Sequence, residues 1–181
     1  MSAPEIEVSA EDFARYAGMT GETIVTPTPL EADAVRRFIQ AVMDTDPHYH
    51  DPAVAAGSKF AAVTAPPLYP VHAFRTPAGA PDPLAVLADD PDADGSAGND
   101  GMFFGLTPIP TPFKRLLNGG NEIEFYRSLA VGETCRAKAR YADVQLKEGK
   151  SGKMLLVTIE TEFRTGDGEL LLVNRQTLIW R

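Results

Sequence analysis

The stretch KMLLVTIETEFRTGDGELLLVNRQTLIWR, residues 153–181, decides the fold class, because apolar and polar residues alternate on both sides of a glycine-rich break. A period of two is typical of a strand with one buried face. The break TGDGE, residues 165–169, has the composition of a tight turn between antiparallel strands. The stretch therefore predicts a β-hairpin.

Two further segments upstream alternate in the same way, NEIEFYRSL at 121–129 and ETCRAKARYADVQLKE at 133–148. The turn signals AVGE and EGKSGK follow them. We expect four strands in an antiparallel meander. The first of these should direct Ile123 and Phe125 to one face.

A helix is predicted before the strands, from Thr28 to Met43. Its apolar residues recur at i, i+3, i+4 and i+7 and form one stripe: Val35, Phe38, Ile39 and Val42. Asp44, Asp46 and Pro47 follow, and proline ends the helix because it cannot continue the hydrogen-bond ladder. A helix followed by a long antiparallel sheet predicts an α+β domain.

The pattern between this helix and the strands is weaker. A second helical piece is expected within PPLYPVHAFR, residues 66–75. Residues 76–112 are rich in proline, glycine and aspartate without lysine or arginine, and they predict a long loop insertion. The apolar GMFFGL at 101–106 argues against simple disorder. The loop is either a lid over a binding site or a surface loop anchored by Phe103 and Phe104.

Composition limits the function classes. The chain has 181 residues, 44% of them hydrophobic, which suits a single packed domain over 1–181. A formal net charge of −8 argues against nucleic acid as a partner. The sequence shows neither a signal-like start nor an apolar run long enough to cross a membrane, so we expect a cytoplasmic protein without membrane contact. The single cysteine, Cys135, is predicted to be a buried structural thiol.

The segment DTDPHYHD, residues 44–51, concentrates acidic and imidazole groups and allows three interpretations. Asp, His and Asp could bind zinc or iron, but His48 and His50 would need a strand to point together, so no metal is predicted. Alternatively, Asp44 and Asp46 could cap turns by accepting backbone N–H bonds, with the histidines solvated. The third interpretation is acid/base chemistry.

Three segments carry a resemblance to MaoC-like hydratases and dehydratases. AVMDTDPHYHDPAVAA, residues 41–56, resembles their hydratase signature. VTAPPLY, residues 63–69, resembles the segment that begins their central helix, and LNGGNEIEFYRSLAVGET, residues 117–134, resembles a motif of the N-terminal dehydratase-type branch. The resemblance implies a hot-dog fold, in which a sheet of about five antiparallel strands wraps a long central helix. It also implies activity on acyl thioesters, without a cofactor.

The resemblance also implies which residues act. Active members hold a water molecule with an Asp and a His five residues later. Asp44 matches that aspartate, Asp46 replaces the usual Asn, and Tyr49 stands at the histidine position. The implied catalytic set is Asp44, Tyr49 and His50, although an unperturbed tyrosine keeps its proton at neutral pH and is a better hydrogen-bond donor than base.

The substrate-binding candidates share a position near the implied acyl pocket: Asp46, Pro66, Pro67, Tyr69, Phe103, Phe104, Gly119 and Gly120. Lys114, Arg115 and Arg127 could meet coenzyme phosphates near the Gly119–Gly120 turn, or could simply be solvated.

The departure at Tyr49 favours a non-catalytic subunit that shapes the pocket beside a homologous catalytic MaoC-like subunit. GMFFGLTPIPTPFKRLLNGGNE, residues 101–122, looks most like the non-catalytic half of steroid side-chain enoyl-CoA hydratases, and mycolic-acid dehydratases contain similar pairs. The expected partners are an acyl-CoA or acyl-carrier thioester and a hot-dog subunit. A self-sufficient hydratase that uses Asp44 with His48 or His50, a non-enzymatic acyl-binding module and a hot-dog thioesterase remain alternatives.

Overall fold

The computed structural model describes residues 8–74, 103–149 and 152–181, together with 77, 79–81 and 85. Its helical elements are short: α1 (Ala10–Ala14), α2 (Ala32–Ala41), α3 (Pro52–Ala56) and two 3₁₀ turns (Pro47–Tyr49 and Tyr69–His72). Its strands are β1 (Ile24–Val25), β2 (Leu116–Phe125), β3 (Cys135–Gly149), β4 (Gly152–Thr165) and β5 (Leu170–Trp180). The described residues therefore form an α+β structure, as predicted.

The strands form one antiparallel sheet in the order β1-β3-β4-β5-β2. The predicted meander is correct for β3, β4 and β5, but wrong for β2, which pairs with β5. Alternation determines which face of a strand is buried, but it does not determine which other strand it pairs with. The connection from Tyr126 to Thr134 is longer than a hairpin loop, so β2 can lie at the far edge.

The core lies against the inner face of the sheet. Strand β4 alternates strictly and contributes buried side chains at Leu155, Val157, Ile159 and Phe163. Their partners on β5 include the buried Leu172 and Leu178. Phe125 was predicted to share a buried face with Ile123, yet it is 53% exposed. Strand β2 is an edge strand, and only Ile123 of these two packs against the core.

The TGDGE hairpin is confirmed. The Thr165 N–H donates to the Glu169 carbonyl at 2.8 Å, and the Glu169 N–H donates to Thr165 Oγ1 at 3.0 Å. Gly168 has φ +99°, a conformation that favours glycine. Cys135 is buried, as predicted, and burial raises the pKa of its thiol to about 12. It therefore stays protonated as a structural group.

The predicted helix over residues 28–43 is found over Ala32–Ala41. Val35 and Ile39 are buried and Phe38 is half-buried, which confirms the stripe. Val42 does not belong to it and is 53% exposed, because the helix has ended. None of the helices in the described ranges is long and apolar enough to cross a membrane.

The long central helix implied after Ala65 is not found in the part of the chain that the structure describes. The segment forms a single 3₁₀ turn, Tyr69–His72. Pro70 has no N–H to donate to the Pro66 carbonyl, so the first α-helical hydrogen bond is missing, and the Pro66 carbonyl accepts the Tyr69 N–H instead. The predicted loop 76–112 lies mainly outside the described residues, which include its last part, 103–112.

Candidate functional site

The DTDPHYHD segment begins where α2 ends. Met43 has φ +58°, its N–H donates to the Gln40 carbonyl at 3.3 Å, and the Asp44 N–H donates to the Ile39 carbonyl at 2.9 Å. These two bonds form a Schellman motif, in which glycine is the usual left-handed residue. The motif ends the helix and turns the chain so that Asp44 is half-buried just beyond it.

Both aspartates cap turns, which confirms this part of the second interpretation, whereas the half-buried His48 ring bonds to Asp46. Asp44 Oδ1 accepts the Asp46 N–H at 3.0 Å. Asp46 Oδ1 accepts the His48 N–H at 3.0 Å and lies 2.6 Å from His48 Nδ1. The bonds from the His48 backbone and ring lower the pKa of Asp46. Asp46 therefore acts on its own turn, and a role toward substrate stays a prediction.

Tyr49 lies at the end of the first 3₁₀ turn and packs against the core. Burial raises the pKa of its hydroxyl, and the carboxylates of Asp44 and Asp46 raise it further. Tyr49 therefore keeps its proton at neutral pH. At this position the chain offers a hydrogen-bond donor next to a carboxylate, and no base.

A cavity of about 310 Å³ opens beside Tyr49 and the exposed His50. Its other lining residues come from α2 and the segments that follow: Ala32, Asp33, Arg36, Pro52 and Val63. Arg36 Nη2 lies 2.6 Å from Asp33 Oδ1, so the cavity contains an ion pair besides the phenol and imidazole. Asp33 and Arg36 were not predicted, although their i, i+3 spacing on the polar face of α2 was a readable signal.

No group of three or more His, Cys, Asp or Glu side chains suited to a metal ion occurs among the described residues. The cavity at Tyr49 and His50 is lined by a phenol, an imidazole and a guanidinium, which can donate hydrogen bonds.

Of the other predicted pocket residues in the helical layer, two are buried and one is exposed. Pro66 is buried, and its carbonyl accepts the Tyr69 N–H at 2.9 Å, whereas Pro67 is exposed. Tyr69 is 3% exposed and packs edge-on against Phe38, with ring centroids 5.2 Å apart. Tyr69 thus packs against α2, and Pro66 holds the turn that carries Tyr69.

Gly119 and Gly120 lie in the edge strand β2, which pairs with β5 and with none of the elements that carry the DTDPHYHD segment. A bulge interrupts β2 between Asn118 and Gly120, and the Gly120 N–H donates to Asn118 Oδ1 at 3.0 Å. A Cβ on Gly119 would lie 3.1 Å from the Thr177 carbonyl oxygen. Close packing therefore explains this glycine.

The predicted cluster of basic residues near Gly119 and Gly120 is wrong for Arg127. Lys114 and Arg115 are exposed just before β2, whereas Arg127 lies beyond its other end. Arg127 is paired with Glu133 at 2.7 Å and with Glu169 at 3.2 Å. It joins two turns of the sheet and is not available beside the other two cations.

Phe103 and Phe104 are buried, 8% and 5% exposed, against the inner face of the sheet. This placement agrees with a segment anchored by two phenylalanines. Whether they also meet a substrate stays a prediction.

Residues 17–173 match the family described as "FAS1-like, dehydratase domain region". The chain belongs to this family. It therefore contains a dehydratase-type domain, and the MaoC-like resemblance is confirmed.

The individual relatives of this chain are distant in sequence. A UPF0336 protein from Thermobifida fusca is 25% identical over 163 residues, which cover 89% of this chain and 90% of the relative. The ChsH1-ChsH2 complex from Mycobacterium tuberculosis is similar in structure, with a TM-score of 0.66, 17% identity and coverage of 89% of this chain and 83% of that one.

The HadBC (3R-hydroxyacyl-ACP dehydratase) complex from Mycobacterium tuberculosis has a TM-score of 0.58 and 17% identity, with coverage of 91% of this chain and 96% of that one. These structural likenesses confirm the predicted hot-dog fold.

Proposed function

We propose that this chain is a subunit of an enoyl-thioester hydratase or 3-hydroxyacyl-thioester dehydratase. It shapes the acyl pocket, and a homologous hot-dog subunit supplies the catalytic base. The observation that carries this proposal is the protonated, half-buried Tyr49 beside Asp44, at the position where the family signature has histidine.

The chemistry explains why Tyr49 matters. Adding water to a double bond conjugated with a thioester requires a group that takes the water proton. A phenol whose pKa is raised by burial and by two carboxylates does not take a proton at neutral pH. Within the described residues, Asp44 therefore has no histidine in the signature position to share the water molecule.

The surface of β2 supports the partner. In the described part of the sheet, β2 pairs with β5 alone, so its other edge is open. Its exposed apolar side chains include Leu117 (38%), Phe125 (53%) and the adjacent Tyr126 (58%). An open strand edge with apolar neighbours favours pairing with another chain. Two of the structural neighbours, ChsH1-ChsH2 and HadBC, are complexes of two named components.

The test compares the purified chain with the chain co-expressed with a neighbouring MaoC-like subunit. Hydration of crotonyl-CoA and of a steroid enoyl-CoA is measured for both. We expect activity only in the mixture, and we expect Asp44→Asn in this chain to leave that activity unchanged. Activity of the chain alone, abolished by Asp44→Asn, would contradict the assignment. Acyl-CoA binding without hydration in either sample would instead indicate a binding module.

A second variant tests the role of Tyr49 directly. Tyr49→His restores the signature residue beside Asp44, and we expect it to give the chain alone measurable hydration of crotonyl-CoA. Tyr49→Phe is the matched control, because it keeps the ring and removes only the hydroxyl. If Tyr49→His stays inactive while it folds and binds acyl-CoA, a missing base is not the reason for inactivity.

A self-sufficient hydratase is the second candidate, and the cavity that His50 shares with Tyr49 favours it. In this case His50 would take the proton from a water molecule in the cavity. His50→Gln would then abolish hydration by the chain alone, whereas the exposed His72→Gln would not.

A further inference from the structure

The two edges of the described sheet differ in what covers them. Along β3, the segment that precedes α2 bonds to the edge of the strand. The Tyr141 N–H donates to the Met19 carbonyl at 2.9 Å, and the Cys135 carbonyl accepts the Thr26 N–H at 2.9 Å. Among the described residues, β2 pairs with β5 alone, and no such segment bonds to its other edge. The β2 edge is therefore the place where a strand of another chain can join the sheet.

The bulge in β2 limits the part of this edge that suits regular pairing. It lies between Asn118 and Gly120, and the Gly120 N–H donates to Asn118 Oδ1, so this donor is not available to a new strand. Bulges interrupt pairing at sheet edges. Residues 121–125 remain for a regular ladder. Their sequence, NEIEF, contains two glutamates and neither lysine nor arginine.

A row of alternating charges crosses the outer face of the sheet, which is turned away from the core, and ends at this stretch. Its members are register partners on successive strands: Arg140, Glu160, Arg175 and Glu122. The Nε atoms of both arginines lie 2.7 Å from carboxylate oxygens of Glu160. Glu122 lies 3.7 Å from Arg175 Nη1, and its side chain is 76% exposed. The row therefore ends on a carboxylate, and a cation on the next strand would continue it.

A second carboxylate lies at the same edge. Glu124 bonds to Arg175, and its Oε2 accepts the Tyr126 hydroxyl at 2.9 Å. These two bonds lower the pKa of Glu124, so it is ionised at neutral pH. With Glu124 included, the two arginines of the row face three glutamates. The open edge therefore carries an excess of negative charge.

A second copy of this chain does not supply the missing cation through the same stretch. Antiparallel self-pairing over residues 121–125 would put Glu122 directly opposite Glu124 of the second copy, and Glu124 opposite Glu122. Like charges directly opposite each other destabilise a strand pair. Such contacts exclude wrong partners, since specificity depends on repulsion as well as attraction.

We infer that Glu122 and Glu124 select the partner at the β2 edge: they favour a homologous subunit whose edge strand carries lysine or arginine opposite them, and they oppose the pairing of two copies of this chain. The inference rests on the proposed function, which requires a second subunit, and it adds the chemistry by which that subunit is recognised. The exposed Phe125 and Tyr126 beside the carboxylates offer apolar contact to either kind of partner, so the charges decide between them.

The first test uses this chain alone. The full-length wild-type chain is mixed with a variant that carries both Glu122→Lys and Glu124→Lys, and sedimentation velocity at low ionic strength measures the dissociation constant. We expect the mixture to associate at least about 10-fold more tightly than either protein by itself, because only the mixed pair places lysine opposite glutamate. Glu11→Lys with Glu148→Lys is the matched control. Both residues are exposed outside β2, so mixing this variant with the wild type should give no such gain.

A neutral variant with Glu122→Gln and Glu124→Gln is measured in parallel, because it changes the side chains less and can be read if the lysine variant does not fold. We expect it to self-associate more tightly than the wild type, with a difference that shrinks as salt screens the carboxylates. The absence of either gain in a folded variant would overturn the inference.

The complex with a co-expressed MaoC-like subunit separates this inference from the proposed function. We expect the lysine variant to bind that subunit at least about 10-fold more weakly than the wild type does. A complex that depends on the two glutamates but hydrates no enoyl-CoA would support the inference and contradict the proposed function. An active complex whose dissociation constant is the same for the folded lysine variant would support the proposed function and overturn the inference.

Discussion

The long strands and the helical layer around Asp44 are built differently. Strands β3, β4 and β5 contribute most of the large, fully buried side chains, including Tyr141, Phe163 and Leu178. The longest helix of the described layer has 10 residues, and the DTDPHYHD segment has no buried residue. Burial is the main source of stability, whereas a reactive side chain must meet solvent or substrate. Stability therefore resides in the sheet and the candidate chemistry in the layer.

The largest effect on the free energy of unfolding should come from a side chain on the buried face of the sheet. Phe163→Ala removes a ring that is 0% exposed and packs against Phe74 and Phe104. We expect it to lower the free energy of unfolding by about 3–5 kcal/mol. Val42→Ala at the exposed end of α2 should change it by less than about 0.5 kcal/mol. Denaturant unfolding measures both, and equal losses would remove the distinction between the two regions.

A second prediction concerns the close contact between Gly105 and Glu22. Gly105→Ala places a Cβ 2.5 Å from the Glu22 carbonyl oxygen in a left-handed residue. Gly168→Ala is the matched control, since its φ is +99° but no described heavy atom lies within 4 Å of the added Cβ. We expect a loss of about 1 kcal/mol for Gly168→Ala from backbone strain and about 3 kcal/mol for Gly105→Ala. Similar unfolding free energies would mean that the Phe104 segment is not fixed by this contact.

The third prediction is that the stability contributed by the Arg127–Glu133 ion pair depends on pH. The bonds from Arg127 and the Ala130 N–H hold the pKa of Glu133 below its ordinary value. A lowered pKa in the folded state gives stability that is present above about pH 4.3 and is lost as the pH falls through the lowered value. Because the two side chains are 34% and 29% exposed, the contribution is small.

We therefore expect Glu133→Gln to cost about 1 kcal/mol at pH 7 and almost nothing at pH 3. Glu169→Gln, which alters the longer and more exposed contact to Arg127, should show no such difference. Unfolding at the two pH values tests this, and an equal cost for Glu133→Gln at both would show that the ion pair is not the cause.

The strands could be predicted because their signals are local. Alternation in β4 and the TGDGE turn each lie within a few residues, and the structure confirms both. The pairing of β2 and the exposure of Phe125 could not be predicted, because they depend on which distant element covers each strand. The expected central helix is absent from the described residues after Ala65 for a local reason, since Pro70 has no N–H to donate to the Pro66 carbonyl.

The candidate site was predicted in part. The residue types of Asp44 and Asp46 before Pro47 predicted the turn caps, since short carboxylates bond to nearby backbone N–H groups. The cavity at His50 could not be predicted, because it requires the polar face of α2 to meet a segment that follows the turn. A sequence pattern can therefore predict the motif, but it does not predict the cavity that distant residues form beside the motif.

The last predicted effect has the opposite sign and occurs in the helical layer. Met43 occupies the left-handed position of the Schellman motif, where a side chain is disfavoured, and is 85% exposed. Met43→Gly should raise the free energy of unfolding by about 1 kcal/mol, because it relieves this strain and removes little packing. Val42→Gly, at φ −92°, gains nothing from glycine and should lower stability.

The hydration activity of the complex that contains the Met43→Gly variant decides whether the backbone strain at Met43 has a function. Asp44 follows Met43 directly, and its N–H closes the same motif onto Ile39. If the variant is more stable and equally active, the strain is incidental to the turn. If it is more stable and less active, the backbone turn at Met43 contributes to the shape of the acyl pocket, and the helical layer gives up stability where the sheet does not.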